Sequence, residues 1–268
     1  MMIHPTAVVA PGATLGKDVG IGAYSVIGEQ VTLGDGCRIG PHVVVEGHTT
    51  IGAHTVIHQF ASIGGPPQDL SYQGEDTLVE IGERAVVREY VTIHRGTVRG
   101  KGLTRIGHRC FLMAYCHVAH DCILGDGVIM ANSAHLGGHI EIGRNAILGG
   151  VVAVHQFVRV GEYALVGGVS GVAKDVPPYT LASGARIYLY GLNEVGLRRH
   201  GFSRDTISCL KKAFKTAFRS GLPISEAAMK IRAEMPDVHE ALAFADFISS
   251  SRRGMARVSL SRYHFRAT

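Results

Sequence analysis

Large aliphatic residues recur at every sixth position over most of the chain. The series covers Ile3–Ile63, Ile81–Ile93 and Ile106–Val172, which together make 26 hexads. Glycine follows the aliphatic residue in fifteen of them, and the fifth position is usually a small residue, such as Ala, Ser or Cys. This repeat is typical of the hexapeptide β-helix, in which three short strands form one triangular coil. The pattern therefore predicts an all-β solenoid over residues 1–186, with the large side chains along its axis.

Two segments, near 64–80 and 94–105, lack the repeat. A regular coil does not accommodate them, so both are predicted to leave the solenoid as surface loops. Loops on a rigid scaffold often carry binding and catalytic residues. The competing interpretation is that these loops only pack against a neighbouring subunit.

The repeat ends after Val172 at a double proline, and helical periodicity follows. Residues 203–221 predict a helix that begins at the N-cap Ser203 and stops at Gly221. Its apolar face contains Ile207, Leu210, Phe214, Ala217 and Phe218. Further helices are predicted at 225–235 and from Asp237, where Glu240 would complete a capping box. We therefore expect a helical domain over 187–254, which covers the end of the coil, and a basic, poorly ordered tail over 255–268.

Composition restricts the class of protein. Hydrophobic residues make up 46% of the 268 residues, but no apolar run is long enough to span a bilayer, and the N-terminus does not resemble a secretory signal. The net charge of +5 mildly favours acidic partners, and no nucleic-acid-binding signature is visible. Four of the five cysteines fall on the small, inward fifth position (Cys37, Cys110, Cys116 and Cys122). They are predicted to fill the core as free thiols in a reducing cytoplasm.

The stretch CHVAHDC, residues 116–122, is compatible with a metal site, a catalytic base or ordinary filling of a repeat. Hexads three apart stack on one face, which predicts a ladder of His120, His139 and His155, with His117 at the preceding corner. Coils are separated by about 4.7–4.9 Å, and the three histidines occupy different positions within their hexads. They are therefore better placed to line a groove than to surround one metal ion. We predict a catalytic base and no metal; His42, His48 and His54 point to three faces and are interpreted as structural.

Longer stretches resemble a known family. MAYCHVAHDC, LGGH, VHQF, GGVSGVAKDVPPY and LRRHGFSRD, with QDLSYQGE and IHRGTV in the loops, are similar to the cytoplasmic UDP-N-acetylglucosamine O-acyltransferases that open lipid A biosynthesis. The resemblance runs in order from about residue 3 to residue 257. It implies a left-handed β-helix and a homotrimer, and we expect no cofactor. It also implies transfer of a 3-hydroxyacyl group from acyl carrier protein to the 3-position of UDP-N-acetylglucosamine.

The same resemblance assigns roles to single residues. It places the general base on His120, the oxyanion donor on the N–H of Gly138 and the limit of acyl-chain length on Gly168. Imidazole titrates near neutral pH and suits removal of a proton from a sugar hydroxyl, while a glycine amide is a donor without steric obstruction. The implied substrate-binding residues are Asp69, His117, His139, His155, Gln156, Asn193 and Arg199. Candidates for docking the acidic carrier protein are Lys211, Lys212, Lys215 and Arg219, which otherwise form a solvated helix face.

Four positions depart from the family pattern. Ser71 stands where the family commonly has lysine, Arg186 where it has histidine, Val195 where it has a carboxylate and His200 where it has arginine. These changes leave open a 3-amino sugar as the acceptor. Three further functions also fit a hexapeptide solenoid: the N-acyltransferase reaction that comes later in the same pathway, a γ-carbonic-anhydrase-like zinc lyase and a scaffold without catalytic activity.

Overall fold

A computed structural model describes residues 2–259 and contains three β-sheets, which are parallel throughout the coils and form the faces of a triangular prism. The strands of sheet A are Met2–Ile3, Gly20–Ile21, Arg38–Ile39, Val56–Ile57, Val86–Val87, Phe111–Leu112, Ile129–Met130, Ile147–Leu148, Leu165–Val166, Thr180–Ser183, Tyr188–Leu192 and Arg257–Val258. Those of sheet B are Val8–Val9, Val26–Ile27, Val44–Val45, Ser62–Gly65, Thr92–His94, His117–Val118, His135–Leu136, Ala153–Val154 and Gly171–Val172. Those of sheet C are Thr14–Leu15, Val31–Leu33, His48–Ile51, Leu78–Ile81, Leu103–Ile106, Ile123–Leu124, Glu141–Ile142 and Arg159–Val160.

The chain visits sheets A, B and C in turn, and the predicted hexads coincide with this order. The aliphatic residue of every hexad from Ile21 to Val172 is buried on the prism axis. The four cysteines predicted to point inward are buried free thiols, and burial raises the pKa of Cys122 to about 12. The prediction of a left-handed parallel β-helix with a helical C-terminal part is confirmed.

The turns between sheets explain the repeat. Left-handed backbone occurs at the fourth hexad position on non-glycine residues, such as Tyr24 and His139 with φ of 58° and 61°. The glycine at the second position has another cause, because a Cβ on Gly125 would lie 2.7 Å from the backbone nitrogen of Arg144 in the next coil. Glycine is therefore needed for close stacking of coils rather than for a positive φ. The three edges of the prism are named below after the sheets they join.

Both predicted loops are present, and both leave the prism at the B–C edge. The first loop joins Ser62–Gly65 of sheet B to Leu78–Ile81 of sheet C. The second loop joins Thr92–His94 to Leu103–Ile106, again from sheet B to sheet C. The B–C edge therefore carries the irregular segments of the solenoid.

The C-terminal region, as far as residue 259, contains four helices: α1, Glu194–Arg199; α2, Arg204–Arg219; α3, Ile224–Glu234; and α4, His239–Ser249. The Ser203 hydroxyl accepts a hydrogen bond from the Thr206 N–H at 3.0 Å, so the predicted N-cap of α2 is confirmed. The predicted capping box is wrong, since Val238 is the N-cap of α4 and no side chain caps this helix. Helix α1 has only six residues, and the sequence pattern did not predict it. No helix within residues 2–259 is long and apolar enough to cross a membrane.

The region around the helices contains more sheet than the sequence indicated. Tyr188–Leu192 pairs antiparallel with Thr180–Ser183 and extends sheet A beyond residue 186. Arg257–Val258, in the segment expected to be a tail, pairs with Tyr188–Leu192, and Met255 bridges to Asp175. The chain therefore returns to the prism after α4. Residues 260–268 of the expected tail lie outside the described residues.

Candidate active site

His120 lies at the B–C edge beside a buried carboxylate. Its Nδ1 is 2.8 Å from Oδ2 of Asp121, and the side chain keeps 12% of its surface exposed. Nδ1 of His139 lies 3.7 Å from the same oxygen, and the two imidazole rings meet edge to face with centroids 4.9 Å apart. Two histidines from successive coils therefore share one carboxylate.

The second loop holds this carboxylate in place. Asp121 is fully buried and accepts hydrogen bonds from the Thr97 hydroxyl at 2.7 Å and the Lys101 N–H at 2.7 Å, besides the Thr97 N–H at 3.2 Å. Burial would raise the pKa of Asp121, but the hydrogen bonds from His120, Thr97 and Lys101 outweigh it and lower the pKa to about 2. An ionised carboxylate accepts the Nδ1 proton of His120, which leaves Nε2 as the free acceptor.

Gly138 faces the His120 ring from the next coil. A Cβ at this position would lie 2.6 Å from Nε2 and 2.5 Å from Cε1 of His120, so only glycine leaves room for the imidazole. The hydrogen bonds within residues 2–259 include none donated by the Gly138 N–H. The free nitrogen of the base and a backbone donor are therefore neighbours.

A second pair of histidines occupies sheet B. His117 lies within a strand, in register with Thr92 and His135, so its predicted position at a corner is wrong. Its Nδ1 is 2.7 Å from the Thr92 hydroxyl, and its ring contacts His94 edge to face. Burial lowers the pKa of His117 to about 4, and positive charge on neighbouring histidines contributes. His117 is therefore neutral at physiological pH.

Sequence reasoning missed His94. Its Nδ1 is buried and has no hydrogen-bond partner within the described residues, and burial lowers its pKa. His94 precedes the second loop, whose length breaks the regular spacing between coils. Its placement after Ile93, on the same face as the other histidines, was the one available signal.

The predicted ladder of three histidines is shorter than expected. The ring of Phe157, and not that of His155, stacks on His139, with centroids 4.4 Å apart. His155 Nδ1 instead lies 3.1 Å from the carbonyl oxygen of Gln156, and both residues are exposed. Residues at the fourth position of their hexads, such as His139 and Phe157, stack on one another in successive coils. His155 occupies the second position of its hexad, so its side chain lies beside these stacked rings.

Asp69 extends the site from the first loop. Its Oδ1 accepts hydrogen bonds from the backbone N–H and the hydroxyl of Ser71, both at 2.8 Å. These two bonds lower the pKa of Asp69, and the positive charge of Arg99 contributes less. Ser71, one of the four departures, therefore orients the carboxylate of Asp69.

Three other assigned residues lie on different edges of the same chain. Asn193 caps α1 and donates to the carbonyl oxygen of Tyr163, at the C–A edge, with a distance of 3.0 Å. Arg199 is exposed at the end of α1. Gly168 is exposed near the A–B edge, where a Cβ would lie 3.1 Å from the Gly150 carbonyl oxygen. One chain does not bring these residues to His120.

The remaining departures lie outside the histidine cluster. Arg186 is exposed in the turn between Thr180–Ser183 and Tyr188–Leu192, and Val195 is exposed on α1. The His200 ring packs edge to face against Tyr163, with centroids 5.1 Å apart. Val195 and His200 belong to the surface around α1, whereas the turn that contains Arg186 bonds to Gly171 at the other end of the hairpin.

His120, Asp121 and His139 could also be considered as metal ligands, since their donor atoms lie within 4.8 Å of one another. A carboxylate offers about four acceptor sites. Those of Asp121 already receive the Thr97 N–H, the Thr97 hydroxyl, the Lys101 N–H and the His120 imidazole. This arrangement fits a carboxylate that orients a base better than one that ligates an ion.

Comparisons with known proteins agree with these features. A family described as Udp N-acetylglucosamine O-acyltransferase, domain 2, matches residues 175–256, and bacterial transferase hexapeptide repeats match residues 30–65 and 103–138. The acyl-(acyl-carrier-protein)–UDP-N-acetylglucosamine O-acyltransferase of Syntrophobacter fumaroxidans is 54% identical over 96% of this chain and 100% of its own length. The corresponding enzyme of Halorhodospira halophila is 51% identical over 95% of this chain and 99% of its own length.

Solved structures give the same result. LpxA from Acinetobacter baumannii has a TM-score of 0.94 and 45% identity, and covers 96% of this chain and 100% of its own. The UDP-N-acetylglucosamine O-acyltransferase of Moraxella catarrhalis has a TM-score of 0.93 and 42% identity, with the same coverage. The chain therefore belongs to the family of acyl-(acyl-carrier-protein)–UDP-N-acetylglucosamine O-acyltransferases.

Proposed function

We propose that this chain transfers a 3-hydroxyacyl group from an acyl carrier protein thioester to the 3-hydroxyl of UDP-N-acetylglucosamine, the first step of lipid A biosynthesis. The observation that carries the proposal is the hydrogen bond of His120 Nδ1 to the buried Asp121, which leaves Nε2 free beside Gly138. Relatives that cover 95% and 96% of this chain are named acyl-(acyl-carrier-protein)–UDP-N-acetylglucosamine O-acyltransferase, which supports the donor and the acceptor.

In the proposed reaction, Nε2 of His120 takes the proton from the sugar hydroxyl as its oxygen attacks the thioester carbonyl carbon. Asp121 stabilises the resulting imidazolium. The Gly138 N–H donates to the tetrahedral oxyanion. Collapse breaks the carbon–sulfur bond, and the leaving thiolate of the carrier receives the proton from His120. General-base catalysis contributes about 10²–10⁴ in rate, and one oxyanion donor about 10²–10³.

A homotrimer with sites between subunits would bring the separated residues together. His120 lies at the B–C edge, whereas Asn193 and Gly168 lie at the other two edges, so a neighbouring chain has to supply them. Sheet B exposes Val8, Val26 and Val44. Exposed aromatic side chains stack along the A–B edge, namely Tyr24, His42, Phe60, Tyr90 and Tyr115. Such contiguous apolar surface favours a protein interface.

The carrier protein is proposed to dock on α2. Lys211 and Lys212 form ion pairs with Glu194 and Glu234, both at 2.9 Å. Lys215 and Arg219 have no carboxylate within ion-pair distance among the described residues, so they remain available to an acidic partner. The free thiols agree with a cytoplasmic location.

Thioester release from 3-hydroxyacyl carrier protein, measured with and without UDP-N-acetylglucosamine, tests the proposal. We expect release that depends on the sugar and a product that carries an O-acyl group. Release only with the 3-amino analogue would move the acceptor to an amine, and no release with either sugar would refute acyl transfer. His120→Ala should abolish turnover, whereas His54→Ala on the C–A edge should not.

Sites between subunits are tested by mixing two inactive chains. His120→Ala chains and Arg199→Ala chains should recover part of the activity when they are denatured and refolded together, because some interfaces then contain both intact residues. A monomer in sedimentation at micromolar concentration would refute this arrangement.

A further inference from the structure

The first loop carries Asp69 but has little support of its own. Leu70, next to Asp69, is fully exposed, and the loop's internal bonds are short-range. The Tyr72 N–H donates to the carbonyl oxygen of Asp69 at 3.0 Å, and the Tyr72 hydroxyl donates to the carbonyl oxygen of Glu75 at 2.7 Å. Tyr72 is therefore the side chain through which the middle of the loop can be held.

Arg95 connects this side chain to the prism. Its Nε donates to the Tyr72 hydroxyl oxygen at 2.9 Å, and its Nη1 donates to the carbonyl oxygen of Gly64 at 2.8 Å. The guanidinium carbon lies 5.4 Å from the centroid of the Tyr72 ring. One planar group thus joins the start of the first loop to its middle, using two donors in a fixed geometry that lysine does not provide.

The guanidinium has a space shaped for it. Gly47 has φ of +62°, and a Cβ there would lie 2.7 Å from Nη1 of Arg95. The Arg95 backbone N–H also donates to the carbonyl oxygen of Gly65 at 3.1 Å. Arg95 is therefore held at its backbone and at its side chain, and it fixes the first loop relative to sheet B.

The same segment also reaches the base. Thr97, two residues after Arg95, donates twice to Asp121, and His94, one residue before it, contacts His117. Residues 94–97 thus hold the first loop on one side and the carboxylate beside His120 on the other. The mechanism proposed above uses Asp121 but gives no role to Arg95 or Tyr72.

We infer that Arg95 is a positioning residue, which acts through Tyr72 to hold Asp69 within reach of the substrate at His120. This inference rests on the proposed function, because it requires Asp69 to contact the nucleotide sugar. Arg95 itself touches no reacting atom in this assignment. Its effect on the reaction has to pass through Asp69, and that requirement makes it testable.

A double-mutant cycle separates positioning from general stability. Tyr72→Phe removes the hydroxyl that accepts the hydrogen bond from Arg95. It should raise KM for UDP-N-acetylglucosamine about tenfold, as expected for a lost hydrogen bond to a charged group, with little change in kcat. In an Asp69→Asn background the same substitution should change KM less than about twofold, because coupled residues are not additive. Tyr188→Phe, on sheet A, is the matched control and should leave KM unchanged.

Loop mobility gives a readout that does not depend on activity. The chain has no tryptophan, so Leu70→Trp places a single fluorophore beside Asp69. Its anisotropy should fall when Arg95→Lys or Tyr72→Phe is added, and should not change with Tyr188→Phe.

The two measurements distinguish the possible failures. Absence of acyl transfer in the unmodified chain would refute the proposed function, whereas additive effects of Tyr72→Phe and Asp69→Asn in an active enzyme would overturn only the positioning role. Unchanged anisotropy in both the Arg95→Lys and the Tyr72→Phe variants would overturn the positioning role as well. Should Arg95→Lys fail to fold, Tyr72→Phe carries both tests alone.

Discussion

Replacement of Asp121 by asparagine should nearly abolish the proposed reaction while the fold persists. The carboxylate accepts bonds from Thr97, Lys101 and His120, so an asparagine NH2 group has to face at least one donor. If it faces His120, the imidazole turns to the tautomer with the proton on Nε2, which is no longer a base. If it faces the loop, two buried donors lose their acceptor.

The size of the effect follows from the 2.8 Å contact between Nδ1 and Oδ2. The charges of the imidazolium and the carboxylate are then about 4 Å apart, and their attraction amounts to about 4 kcal/mol in an effective dielectric constant of about 20. Loss of this stabilisation in the transition state lowers kcat by about 10³. KM should change little, because the charge on His120 develops only during the reaction.

Steady-state acyl transfer with the Asp121→Asn enzyme measures both constants, and circular dichroism and sedimentation report its fold and assembly. Asp126→Asn, a half-buried acid at the C–A edge, is the matched control and should retain kcat. An Asp121→Asn enzyme that keeps its fold and turns over within about fivefold of the unmodified chain would refute a catalytic role for this contact.

The other predictions concern the surroundings of the base. Gly138→Ala places a Cβ 2.6 Å from Nε2 of His120 and should lower kcat more than about 10²-fold, whereas Gly20→Ala, which meets only the flexible end of Arg38, should not. Gly168→Met should shift the preference in kcat/KM toward shorter acyl chains, and an unchanged preference would place the limit of chain length elsewhere. Acyl transfer should survive exhaustive chelation; stoichiometric zinc whose removal stops the activity would favour the lyase. The pKa of His117 is lowered by burial to about 4, below that of an unfolded histidine, so folded chains bind fewer protons between pH 4 and 6.5. The free energy of unfolding should therefore fall as the pH drops through this window, by on the order of 2 kcal/mol, and His117→Gln should flatten the dependence in denaturant titrations.

Local periodicity accounts for the success of the fold prediction. Each hexad specifies one strand and one turn, and each coil contacts chiefly its neighbours, so the pattern reports the structure coil by coil. The α1 helix and the strand Tyr188–Leu192 were missed because a six-residue helix and a single five-residue strand carry too little periodicity. Their conformation depends on packing against the end of the prism.

The candidate site was only partly predictable. Spacing along the repeat correctly brought His120 and His139 together, because successive coils stack in register, but it placed them on a face, whereas they lie at the B–C edge. It failed for His155 and His117, since the outcome there depends on whether a side chain lies in a strand or in a turn. It also omitted His94, because a loop of irregular length changes the spacing between coils.

The order of residues alone established the β-helix, the inward thiols and the proximity of His120 to His139, since each depends on contacts within one or two coils. Tertiary structure decided what makes His120 a base. Asp121 lies next to it in the chain, but Thr97 and Lys101, from a loop 20 to 24 residues earlier, bury and saturate its carboxylate. Gly138, from the following coil, leaves space for the ring. Burial, ionisation and free space arise only where separate segments meet, and no local pattern encodes them.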